Sequence, residues 1–138
     1  MKIIFLARHN SGGADDEGAV AHAFRELGHE VVCVHESPAA EALGIQADFL
    51  LFCKWNDLHV LRQVKIPKVF WYFDLVQFPD PTLQYRCQSR QRWMERTIPR
   101  VDLGFLTDGD FVKQDTTGKL HWLPQGADER VLGPGAAK

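Results

Sequence analysis

Apolar runs and mixed polar stretches alternate along this chain at a regular spacing. Six runs are rich in β-branched and aromatic residues: 2–8 (KIIFLAR), 30–36 (EVVCVHE), 47–55 (ADFLLFCKW), 68–74 (KVFWYFD), 102–108 (DLGFLTD) and 119–125 (KLHWLPQ). Several are apolar nearly throughout, as expected of strands covered on both faces of a parallel sheet. Helix-like pieces lie between them. Residues 18–28 put Val20, Phe24 and Leu27 on one face and stop at the Gly28-His29 step. Residues 56–64 carry Leu58, Leu61 and Val64 after an Asn-Asp start. The longest piece opens at Asp80-Pro81, a cap followed by proline in the first turn, and runs to about Ile98 with Leu83, Cys87, Met94 and Ile98 as its apolar stripe. Residues 36–46 are short for a crossover, so that helix is expected to be abbreviated, and 109–118 hold a turn or two of helix.

Strands and helices alternating in this way predict βαβ units with right-handed crossovers. The expected fold is an α/β, doubly wound, mostly parallel sheet of about six strands with helices on both faces. Residues 1–132 are expected to form one domain and 133–138 (GPGAAK) a flexible tail.

Composition narrows the function classes. At 138 residues, with 45% hydrophobic and 25% charged residues, the chain reads as an ordinary globular domain. Its net charge of −2 gives no bulk attraction to nucleic acid, so no nucleic-acid partner is expected. Cys33, Cys53 and Cys87 are widely spaced, and the reading is of small core or half-buried residues. The start MKIIFLAR turns polar too quickly for a signal peptide, which makes a cytoplasmic location the expectation.

In open α/β sheets, ligands bind outside the carboxyl ends of the strands, where the strand order reverses. Those ends supply Arg8, His9, Asn10, Gly12 and Gly13; His35 and Glu36; Lys54, Trp55 and Asn56; Asp74; Thr107 and Asp108; and Gln125 and Gly126. The stretch SGGADDEG is neither G-x-G-x-x-G nor a Walker loop, which disfavours a nucleotide-binding oxidoreductase. Gly12 and Gly13 are either a ligand contact or a plain turn. Asp15, Asp16 and Glu17 suit a first helical turn, where the helix dipole favours negative charge. No D-x-D spacing occurs in that acidic run, and no metal is expected. Asp74, at the lip of an aromatic strand, is either a turn cap or a site carboxylate able to take a proton. His9, at the end of the first strand, is a candidate base or a solvated loop histidine. Arg86, Arg90 and Arg100 share a helical face with Trp93. That face suits an anionic acceptor, a peripheral membrane surface or a partner, or else is simply solvated.

Residues 1–34 (MKIIFLARHNSGGADDEGAVAHAFRELGHEVVCV) resemble the opening of GT-B glycosyltransferases with a family-four-like pattern, in which a first strand leads through a Gly-Gly loop to a helix ending in GHEV. Residues 119–132 (KLHWLPQGADERVL) resemble the strand and turn that close the N-terminal domain of those enzymes. FWYFD falls where they carry a strand ending in a His-Asp or aromatic-Asp pair, and DLGFLTDGDFV matches a strand and loop before a short helix. The nearest branch is the spore-maturation type. This resemblance implies a Rossmann-like N-terminal domain on the acceptor side of a two-domain cleft. It would place Gly12 and Gly13 near the sugar-diphosphate, Asp74 by the acceptor or the reacting carbon, and Gln125, Gly126, Ala127 and Asp128 at the edge of the interdomain hinge. With Asn10, Lys54 and Asp108 from the strand ends, Gly12, Gly13, Gln125 and Gly126 make up the expected substrate-binding set. The donor would be a nucleotide-sugar held with the help of a C-terminal domain, with no covalent cofactor. Phe73 stands where a histidine often precedes the aspartate, and the chain is expected to lack the second domain. The expectation is therefore a half-enzyme, inactive alone. The alternative is a stand-alone, non-catalytic binding or scaffold module on the same half-fold.

Overall fold

A computed structural model of the chain describes residues 1–9, 15–37, 39–53, 58–77, 80–124 and 126. Six strands, β1 (Lys2–Ala7), β2 (Glu30–His35), β3 (Phe49–Phe52), β4 (Lys68–Tyr72), β5 (Leu103–Leu106) and β6 (Leu120–Trp122), form one sheet in the order β2-β1-β3-β4-β5-β6. Every pairing is parallel, with Ile3 opposite Val31 on one side and Phe49 on the other. The helices are α1 (Asp16–Glu26), α2 (Leu58–Gln63), α3 (Gln84–Thr97) and the single turn α4 (Gly109–Val112). Tighter 3₁₀ turns occupy Ala39–Gly44, Pro81–Leu83 and Ile98–Arg100. The chain is thus a doubly wound, Rossmann-like α/β domain.

Alternation along the strands sorts the core onto two faces. Ile3, Phe5, Ala7, Leu51 and Cys53 meet Ala21, Val20 and Phe24 of α1. Ile4, Leu6, Leu50, Phe52, Phe70 and Leu106 face the opposite way, onto Val60, Leu61 and Val64 around α2 and Met94 of α3. Ala42 of the abbreviated crossover and Phe111 of α4 lie on this second face too. That distribution follows from handedness. The step from β1 to β2 moves one way across the sheet and every later step moves the other, so right-handed crossovers put α1 on one face and the rest opposite.

Local chemistry fixes the helix ends. Asp15 is the N-cap of α1 and accepts from Gly18 N at 2.7 Å, with Asp16 and Glu17 in the first turn. At the other end Gly28 takes φ +82, His29 N donates to Phe24 O and Gly28 N to Arg25 O, closing a Schellman turn with the His29 ring against Phe24. Leu27 therefore lies past the last helical residue and is exposed, not part of the buried face its spacing suggested. Asp80 caps the 3₁₀ turn ahead of α3, accepting from the backbone and hydroxyl of Thr82. Before β6, the Asp115 carboxylate accepts from the backbone of Thr117, Lys119 and Leu120, which turns the chain into the edge strand. Among the described residues, no helix is long and apolar enough to cross a membrane.

Candidate functional site

Because all strands run in parallel, their carboxyl ends share one edge of the sheet. Strand order reverses between β1 and β3, which is where such sheets open a crevice. At the end of β1, His9 has φ +46, the left-handed value among described non-glycine residues. That conformation costs a β-carbon-bearing residue about 1 kcal/mol and is concentrated at functional positions. Nε2 of His9 lies 2.8 Å from the Phe5 carbonyl oxygen, and its ring stands edge-on to Phe5 at 5.0 Å. A carbonyl can only accept, so Nε2 carries a proton, and the tautomer compatible with this contact has its lone pair on Nδ1. Beside it, Arg8 and Glu36 pair at 3.5 Å across the ends of β1 and β2. Glu36, which stands where a dinucleotide fold would place a ribose-binding acid, thus has a cation of its own.

The end of β4 carries the second cluster. Asp74 and Arg90 of α3 form an ion pair at 3.4 Å, with both side chains partly exposed, and Arg90 Nη1 also donates to the Leu75 carbonyl. Arg90 therefore grips both the carboxylate and the backbone beside it. Tyr72, one turn of pleat below, is buried, and burial pushes its phenol up to about 12, against the lowering effect of Arg90 and with a further rise from Asp74. Trp93 stacks on Tyr72 at 5.6 Å and tilts on Phe70 at 5.0 Å. His9 and Asp74 follow strands separated by β3, two strand spacings or about 10 Å across the sheet.

The end of β5 is built differently. Asp108 is 5% exposed, and its carboxylate accepts from three backbone amides: Val76 at 2.9 Å, Gln77 at 2.8 Å and Phe111 at 3.0 Å. It caps α4 and clamps the loop after β4. The carboxylate expected at the substrate site is thus engaged by three of the fold's own amides. Thr107 ties the same loop down by donating to Phe73 O at 2.8 Å. The Thr107 carbonyl receives Nε1 of Trp122, which is 61% exposed and rests against Gly109. Gly126 is exposed beyond β6. Asn10, Gly12, Gly13, Lys54 and Gln125 lie outside the described residues.

The expected basic face is divided by the structure. Trp93 is partly buried and packs against the core, Arg90 is committed at the lip, and Arg100 donates to the Arg96 carbonyl. Arg86 is exposed beside Tyr85. Cys33 differs from its expected half-buried setting: it is exposed, with Arg25 donating to its sulfur at 3.3 Å, whereas Cys53 and Cys87 are buried. Among the described residues no three His, Cys, Asp or Glu side chains come together as a metal-ligand set.

What the sequence left hidden is the role of Arg90 and the exposure of Trp122. Arg90 lies three residues after Cys87 and four before Met94, so helical spacing does put it at the inner edge of α3. Its reach of 16 residues back to Asp74 has no local signal. The lip so assembled offers a backbone-strained imidazole and an arginine-held carboxylate on strand ends two spacings apart, with β3 between them, a set able to orient and polarise hydroxyl groups. No protein-family model matches this chain, and no curated protein matches it.

Proposed function

We propose that this domain is the acceptor-side half of a glycosyltransferase, working with a donor-binding domain that presents a nucleotide-sugar across the carboxyl edge of the sheet. The observation that supports it most is the Asp74–Arg90 pair: a partly exposed carboxylate at the end of β4, its position held from α3. In this reading Asp74 accepts a hydrogen bond from the acceptor hydroxyl that attacks the sugar carbon, and His9 contributes a second polar contact through Nδ1. The departing diphosphate needs cations and an enclosing wall, which the second domain supplies. The reaction would run in the cytoplasm without a bound metal. The resemblance of residues 1–34 and 119–132 to GT-B enzymes agrees with this assignment.

The engagement of Asp74 by Arg90 also favours a second reading, a non-catalytic binding module in which the pair is structural. One experiment separates them. The chain is assayed alone and joined to a GT-B donor-binding domain, against a panel of nucleotide-sugars, with Asp74→Ala as the variant. Transfer only in the joined form, reduced on the order of 100-fold by the substitution, is expected. Ligand binding without turnover in either form supports the binding module, and normal turnover by the variant removes Asp74 from its role. Titration with NAD(P) is expected to show no binding.

A further inference from the structure

Charge is unevenly placed on this molecule. The chain carries −2 overall, yet α3 and the Ile98–Arg100 turn hold Arg86, Arg90, Arg92, Arg96 and Arg100 against Glu95. That is a local +4 and leaves the other residues at −6. Arg90 is committed to Asp74 and Leu75. Arg86, Arg92 and Arg96 are exposed, and among the described residues none of them has a carboxylate in ion-pair reach.

Geometry makes this more than a solvated helix face. Helical spacing aligns Tyr85, Ser89, Arg92 and Arg96 along the outer stripe of α3. Tyr85 is 64% exposed, with the Arg86 guanidinium 5.8 Å from its ring centre and Arg86 Nε donating to its hydroxyl. Leu75, 45% exposed, is fastened to the same end of α3 by Arg90. Two exposed apolar side chains thus sit beside arginines at the lip, and further cations continue down the helix.

We propose that this face docks on an anionic lipid bilayer. Tyr85 and Leu75 enter the headgroup boundary, while Arg86, Arg92 and Arg96 engage lipid phosphates. A nucleic acid offers the phosphates but no apolar phase to receive Leu75, which is why the lipid surface is the better match. Docking in this orientation lays the Asp74 lip against the headgroups. On the transferase reading, and resting on it, the acceptor is then a membrane-embedded molecule; the docking itself does not depend on that reading.

The test is co-sedimentation of the full chain with vesicles of phosphatidylcholine alone or of phosphatidylcholine and phosphatidylglycerol in equal parts. Binding to the anionic vesicles only, weakening as salt is added, is the expected result. Each arginine strengthens such partition roughly fivefold, so the combined Arg86→Gln, Arg92→Gln and Arg96→Gln variant should bind on the order of 100-fold more weakly. Leu75→Ser with Tyr85→Ser, which leaves the charge unchanged, should also weaken it, with circular dichroism confirming that both variants are folded. Equal partition to neutral vesicles, no binding at low salt, or undiminished binding by the triple variant overturns the proposal. So does tighter binding to duplex DNA at equal phosphate concentration, insensitive to Leu75 and Tyr85. A failed transferase assay leaves these outcomes unaffected.

Discussion

One carboxylate oxygen of Asp108, Oδ2, accepts from Val76 N at 2.9 Å and also from Gln77 N at 2.8 Å. A residue at the end of β5 thereby fixes the loop that follows β4, including the backbone next to Asp74. Replacing Asp108 with Asn would turn an amide N–H₂ toward two backbone donors or give up the α4 cap. We expect a loss of about 2–4 kcal/mol, because buried donors left unpaired carry their full desolvation cost. Urea unfolding measures it, and a loss below about 1 kcal/mol would mean that the clamp contributes little.

Tyr72 predicts a specific alkaline sensitivity. Its folded value of about 12 lies above the ordinary 10.0 because burial disfavours the phenolate. The sign follows from linkage. Below pH 10 both states hold the proton and stability is intact; between pH 10 and 12 the unfolded chain ionises first and stability is lost. Wild type should lose about 2–3 kcal/mol more than Tyr72→Phe across that window. Parallel stability curves for the two proteins would contradict this.

Two glycines should resist substitution for different reasons. At Gly28 a β-carbon meets nothing within 4 Å, but φ is +82, so Gly28→Ala should cost about 1 kcal/mol through the backbone alone. At Gly104 the added carbon would stand 2.7 Å from Leu120 Cδ2. There the cost is steric, and trimming Leu120 should relieve it. A double-mutant cycle of Gly104→Ala with Leu120→Ala should show favourable coupling of about 0.5–3 kcal/mol; the same cycle built on Gly28→Ala should be additive.

The three thiols should react in two classes. Cys33 is exposed, while Cys53 and Cys87 are buried. A thiol reagent should titrate a single cysteine in the native chain and the others only in denaturant, with Cys33→Ser abolishing the native signal. A second native-state thiol would mean that β3 or α3 opens readily.

The strands and most helix limits were legible because an all-parallel sheet demands apolar runs, and each run in the sequence is bounded by turn residues. The acids at 15–17 were legible as well, since capping is local chemistry. Asp108 was not. Its position before Gly109 and its three-residue offset from Phe111 are an N-cap signal, but the amides of Val76 and Gln77 lie more than 30 residues away in sequence and leave no pattern. Trp93 misled for a related reason. It shares a helical face with Arg86 and Arg90, yet that face borders the Cys87–Met94 stripe, and an indole of its size reaches the core where a shorter side chain would stay at the rim. The strand order β2-β1-β3 follows from crossover direction, which periodicity does not encode.

That order divides the sheet in a way with practical use. Every paired strand is adjacent in sequence to its neighbour except β1 with β3, whose ladder runs from Ile3 with Phe49 to Leu6 with Phe52. The sheet is therefore two contiguous pieces, β1–β2 and β3 to β6, zipped along one seam, and among the described residues the chain crosses that seam once, through Ala39–Gly44. A cut in that turn would separate two polypeptides that each keep their own sequential pairings and share a single interface. The molecule is in this sense prepared for splitting: its two fragments, expressed apart, have one unambiguous way to reassemble, and His9 and Asp74 would arrive on opposite sides of the join.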